Sequence, residues 1–143
     1  MTSSTAGQPV LPFEFIVEGP AISQQTRRRS RLRKWIELVR QSAQVRWPIE
    51  RPPVAGSLML RVSYLYEDVV VDLDNLPKPI IDALKDVVYV DDNQITDILL
   101  LKRDLRRPLR VENPSDVLAG ALDLGKVFLH ILIDHAPDQE VVP

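Results

Sequence analysis

Cysteine is missing from the 143-residue chain, which excludes a disulfide framework and any thiolate-bound zinc. Histidine occurs only twice, as His130 and His135. Their spacing suits no metal, and their positions, mid-strand and at a strand end, read as structural. Five glycines do not form a phosphate-cradling loop, and no arrangement supports a serine nucleophile. No apolar run approaches the length of a bilayer span, and the opening residues MTSSTAGQPV lack the regions of a signal peptide. A cytoplasmic protein with no membrane partner is therefore expected. A hydrophobic content of 45% and a charged content of 27% are those of a soluble globular protein. The length suits one domain with a single core, residues 1–143, with loose ends at 1–12 and 136–143.

Periodicity outlines the elements. Phe13 to Glu18 alternates apolar and polar residues as a strand, stopped by Gly19-Pro20. Arg31 to Arg46 repeats apolar residues at helical spacing, with Leu32, Trp35, Ile36, Val39 and Ala43 on one side, Ser30 as a cap and Pro48 beyond its end. Trp35 reads as core rather than a base-stacking platform, and Trp47, beside Pro48, as either. Leu58, Leu60, Val62, Tyr64 and Tyr66 share one face of a second strand. Ile98 to Leu105 and Lys126 to His135 read as two more strands, with a short helix over Ser115 to Leu122 between them. The expected fold is α/β in content, of α+β type: a mixed sheet of about four strands packed with two to three helices.

Charge is unevenly spread. From Glu67 to Asp97 there are nine acidic residues and two lysines, a local net charge of −7, although the whole chain carries only −2. Asp72 and Asp74, two apart, point the same way if the chain is still extended there, which makes them a chelating pair. A helix follows from near Asn75, with Asp74 or Asn75 as cap and Pro77 and Pro79 in its first turn. Leu76, Ile80, Ile81 and Leu84 form its apolar stripe, and it ends near Asp86. Such a helix rises about 16 Å, and extended residues from Val87 onward, at about 3.3 Å each, cover nearly the same distance in return. Asp91 and Asp92 then come back to the helix start and offer a third carboxylate, which of the two remaining open. Converging carboxylates with no sulfur or imidazole among them suit Mg²⁺, or Mn²⁺, and phosphodiester hydrolysis. Lys78 stands in the first helical turn, where its charge can stabilise a five-coordinate phosphorus or help position the water or leaving oxygen. Asp82, one turn on, is expected to pair with it.

Asp72, Asp74, Asn75, Lys78, Asp82-Ala83-Leu84 and Asp91-Asp92-Asn93-Gln94-Ile95 match, in order, the D-x-D-N-x-x-K signature, D-A-L helix and D-D-x-Q-[IV] motif of one family. Over residues 72 to 95 the chain resembles the RusA family of Holliday junction resolvases. The resemblance implies an Mg²⁺-dependent, homodimeric crossover junction endodeoxyribonuclease of DNA recombination and repair. It nicks two opposed strands of a four-way junction, with Asp72, Asp74 and Asp92 as metal ligands and Lys78 as catalytic helper. Asp91 stays a substitute ligand. Just before the first aspartate, where members often carry basic residues, this chain has Glu67-Asp68-Val69-Val70-Val71.

The positive charge sits elsewhere. Arg27, Arg28, Arg29, Arg31, Arg33 and Lys34 crowd into eight positions, an electrostatic footprint for DNA phosphates. Ser23 to Thr26 adds polar donors, and nothing suggests base readout. A second group, Lys102, Arg103, Arg106, Arg107 and Arg110, widens the patch or is a solvated face. The competing functional readings are a branched-DNA-binding protein without catalysis and a less selective flap or fork nuclease.

Overall fold

Alternation within the strands decides on which side of the sheet the core lies. In the computed structural model, which describes residues 10–143, strand β1 spans Phe13–Glu18, β2 Leu58–Tyr66, β3 Ile95–Asp104 and β4 Phe128–His135. They form one mixed sheet in the order β1-β4-β2-β3. β4 is antiparallel to both β1 and β2, and β3 runs parallel to β2 along one edge. Ile131 faces Phe15 on one side and Val62 on the other, so buried residues of three strands share one face. Removing a side chain such as Ile131, with 0% exposure, costs on the order of 3 kcal/mol from lost burial and the cavity left behind.

Helix α1, Arg29–Arg46, lays Trp35, Val39 and Ala43 on this face, and its Leu32 is also buried. Helix α2, Pro77–Leu84, packs beside it with Ile80, Ala83 and Leu84 buried. The opposite face carries helix α3, Asp116–Leu124, over a smaller cluster of Leu65, Ala121 and Phe128. Ser115 caps α3 by accepting the Leu118 N–H at 3.1 Å, and Gly125 ends it in the left-handed region at φ 67°, where a Cβ is disfavoured. Gly19 is required for space, because a Cβ there would lie 2.8 Å from Val127 Cγ1. The mixed sheet with three helices is the α+β fold expected.

Several local expectations change. α1 begins at Arg29 and takes no side-chain cap, with Ser30 inside its first turn. α2 is preceded by a separate 3₁₀ turn over Leu73–Asn75, begins at Pro77 without an Asp74 or Asn75 cap, and stops at Leu84. Residues 87–90 do not run extended. Asp86 takes φ 67°, and Tyr89 closes a tight loop by accepting the Asp86 N–H on its carbonyl at 2.7 Å. The buried Tyr89 hydroxyl also donates to Ile81 O at 2.6 Å. Burial pushes this phenol far up, so it remains a donor. Leu11 belongs to the core rather than to a loose end, and residues 1–9 of that expected end lie outside the described residues. The last seven residues, Pro137 to Pro143, are exposed. No described helix is long and apolar enough to cross a membrane.

Candidate metal and nucleic-acid site

The chain leaves β2 at Tyr66, so Asp72 and Asp74 are not on a strand. Asp72 precedes the first 3₁₀ turn with extended backbone, and Asp74 lies within it. Strand alternation therefore does not align the two carboxylates. The turn instead holds both aspartates near one another in a loop packed against β3 and α2. Both are exposed, and neither side chain is used in an ion pair among the described residues.

The second acidic element is another 3₁₀ turn, Asp92–Gln94, and it divides the work of its two aspartates. Asp91 caps the turn: its Oδ1 accepts the Asn93 N–H at 3.0 Å, which holds this carboxyl below the ordinary range. Gln94 completes the box and does more. Its Oε1 accepts the N–H groups of Val90 and Asp91 at 3.0 and 3.1 Å, and its Nε2 donates to Val54 O and Gly56 O, both at 3.0 Å. One side chain thus ties the acidic loop to the segment entering β2.

Lys78, in the first turn of α2, donates to Asp82 Oδ1 at 2.9 Å, the expected helix-face pair. This bond, the Asp82 charge and the charge of Asp92 hold its ammonium above the ordinary lysine range. The chain from α2 to Asp92 runs through a compact loop rather than the extended return expected. Asp72, Asp74 and Asp92 are not gathered into a finished cage. Among the described residues no three Asp, Glu or His side chains converge closely enough to hold a metal ion. In donor chemistry the three carboxylates fit a hard, oxygen-seeking cation, and Asp91 is the one already occupied by a structural bond.

The arginine-rich segment is stitched to this region. Gln24 N–H donates to Asn75 O at 3.1 Å, joining the loop before α1 to the 3₁₀ turn that carries Asp74. Tyr64, buried in β2, reinforces the junction: its hydroxyl donates to Val69 O at 2.8 Å and accepts the Ala21 N–H at 3.2 Å. Arg31 borders a hollow shared with Ser23, Thr26 and Val69 to Val71, immediately before Asp72. Arg31 and Lys34, one helical turn apart, flank another shallow hollow over Trp35. Arg27, Arg28 and Arg33 are exposed. Arg29 is partly committed, donating to Gln24 O at 2.9 Å. In the second basic group Arg106 binds Asp104 at 3.1 Å and Asp68 at 3.5 Å, and Arg107 approaches Asp104 at 4.0 Å. Two of that group's five cations are thus paired locally.

Three contributors lie beyond what sequence patterns reveal of the site. Gln94 stands in a quoted motif, but its four bonds depend on Val54 and Gly56, which only the fold brings near. Arg40 clamps the end of α2, Nε donating to Ala83 O at 3.0 Å, where the helix dipole favours a cation; its place among the apolar positions of α1 is the available signal. Tyr64 reads in sequence only as one more inward strand residue. Trp35 and Trp47 are both core, the latter with its indole N–H donating to Arg51 O at 3.1 Å. His130 is buried in β4 against Glu14 at 2.8 Å, the structural role expected.

The family model for endodeoxyribonuclease RusA matches residues 19–112, a span that contains both 3₁₀ turns, α2 and the arginine-rich segment. No curated protein matches the chain significantly. Since the matched span covers well over half the sequence, this chain belongs to the RusA family of endodeoxyribonucleases, hydrolases that act on DNA.

Proposed function

We propose that the protein is a divalent-metal-dependent, structure-selective endodeoxyribonuclease that resolves four-way DNA junctions as a cytoplasmic homodimer, in recombination and repair. The observation that carries this reading is the bond from Gln24 N–H to Asn75 O. It fixes a cluster of phosphate-seeking cations against an acidic loop that would otherwise repel DNA. Asp72, Asp74 and Asp92 are the ligands for Mg²⁺ or Mn²⁺, with Asp92 preferred because Asp91 is engaged as a cap. The bound cation supplies an acidified water and neutralises charge on a phosphate oxygen. Lys78, steadied by Asp82, turns its ammonium to the phosphoryl oxygens as negative charge builds there during attack of water and departure of the ester oxygen. Arg31 and Lys34 hold the flanking backbone, and recognition is of DNA shape.

The test is a labelled four-way junction incubated with protein in Mg²⁺ or EDTA. Paired nicks that vanish with EDTA support the reading. Asp72→Asn should abolish nicking while junction binding persists or tightens, because a charge that repels phosphate is removed. Full activity in that variant would sink the assignment. The separation of the acidic groups in the protein alone favours a second reading, a branched-DNA binder without hydrolysis; a retarded but intact junction in Mg²⁺ would establish it. Equal cutting of forks, flaps and junctions would indicate a less selective nuclease.

A further inference from the structure

The loop that leads from β2 to Asp72 holds aliphatic side chains out in solvent on a rigid mount. Val71 is buried in the core, and the Val69 carbonyl accepts the Tyr64 hydroxyl at 2.8 Å. Val70, pinned on both sides, is turned outward and is 57% exposed, with Val69 46% and Leu73 39% exposed beside it. Single apolar residues on a surface need no explanation, but a cluster beside a functional site does. Val69 and Val70 also line an open hollow of about 290 Å³ with Ala21, Ile22, Thr26 and Arg31.

Charge decides what can settle there. Glu67 and Asp68 precede the cluster, and Asp72 and Asp74 stand at its far end. Among the described residues the one ion pair that any of these four makes is that of Asp68 with Arg106 at 3.5 Å. Such a loop repels a bare phosphate backbone. It does not repel a nucleobase, which is neutral and has apolar faces. A continuous duplex keeps those faces stacked and offers only base edges, whereas the last pairs of each arm at a branch point have a face that can be uncovered.

We propose that Val69 and Val70 form an aliphatic wedge that packs on base faces at a DNA branch point, and that this contact sets a preference for branched over linear DNA. Apolar side chains pushed between base steps are a known means of unstacking them. The reach is suitable: Val70 precedes Asp72 by two residues, at most about 7 Å of extended backbone, which is close to the rise of about two base steps. Arg31, on the wall of the same hollow, is placed to take the phosphate of the unstacked nucleotide. The inference rests on the nuclease reading for setting the scissile phosphate beside Asp72, while the contact itself needs no metal.

The test uses the full chain in EDTA, which keeps DNA whole, with a four-way junction carrying 2-aminopurine next to the branch and a linear duplex as competitor. Wild type should brighten the probe on binding, because the base loses its stacking, and should prefer the junction. The double variant Val69→Ser, Val70→Ser leaves the main-chain bond to Tyr64 in place; it should lose the brightening and shrink the junction preference by roughly fivefold to thirtyfold, the worth of the missing apolar contact. Val70→Met, which stays apolar, should keep both. Wild type that neither brightens the probe nor prefers the junction overturns the wedge, as does a folded serine variant that matches wild type in both readouts. A serine variant that sediments as a smaller species than wild type assigns the patch to a contact between copies and also overturns it. Brightening by a wild type that never nicks the junction in Mg²⁺ supports the wedge and overturns the nuclease reading, and paired nicking without brightening does the reverse.

Discussion

Replacing Gln94 with alanine removes four hydrogen bonds at once, two accepted from Val90 and Asp91 and two donated to Val54 and Gly56. A single bond of this kind contributes about 0.5–1.5 kcal/mol net. The residue is only half-buried, so water replaces part of the loss at the exposed Val90 and Asp91 amides, and about 2 kcal/mol remains. For a chain of this length that is a fall in Tm of roughly 8 °C. Cleavage should fall further than stability explains, because the Asp92–Gln94 turn that carries the proposed ligand Asp92 loses its anchor. Gln94→Glu sharpens the test. It keeps an acceptor for the two amides but aims a carboxylate at two carbonyl oxygens, and it should destabilise at least as much as alanine. Urea unfolding and metal-dependent nicking, measured on the same preparations at a temperature where all variants are folded, separate the two effects. A Gln94→Ala protein within about 0.3 kcal/mol of wild type, with unchanged nicking, would refute the reasoning.

Lys78→Ala should slow turnover at saturating junction by one to two orders of magnitude, about 1.4–2.7 kcal/mol of barrier, with junction affinity little changed; a loss confined to affinity contradicts its role. Arg31→Ala combined with Lys34→Ala should weaken binding across all DNA shapes and flatten the dependence of log K on log salt by about one unit for each phosphate no longer neutralised, read by fluorescence anisotropy at several salt concentrations. Burial pushes the Glu14 carboxyl up, but hydrogen bonds from Ser115 and His130 and the charges of His130 and Arg46 together take it below its ordinary 4.5. The unfolded chain therefore binds more protons in the window just below 4.5, so the Glu14 contribution is complete above that pH and is lost as pH falls through the lowered value. Glu14→Gln should reduce the slope of stability against pH in that window, which acid unfolding followed by tryptophan fluorescence would reveal.

Strongly periodic elements were the legible part of this fold. The inward row Leu58, Leu60, Val62 and Tyr64 and the α1 stripe of Leu32, Trp35, Val39 and Ala43 are buried as their spacing requires. Ser115 caps α3 as its side chain suits it to do. Residues 87–90 misled because Val-Val-Tyr-Val favours extended backbone, whereas the buried Tyr89, bonded to Ile81 and Asp86, holds a tight loop. Local propensity gave way to tertiary packing there. In the candidate site, the Lys78–Asp82 pair was legible because four residues of helix place the two side chains together. The relation of Asp72 to Asp74 was not, since it depended on a strand that ends at Tyr66. Nor does periodicity reveal which strand lies at an edge, so β3 read in sequence as an ordinary member of the sheet.

The position of β4 has a consequence for synthesis. Last of the strands to be made, it lies between β1 and β2 and pairs with both. Until it leaves the ribosome, β1 has no neighbour and the emerging sheet is cut in two. Acidic loop and arginine-rich segment are translated well before the central strand that completes the sheet beneath them. A prematurely terminated product would carry the family's motifs on a sheet whose two halves, β1 and the β2–β3 pair, are not joined.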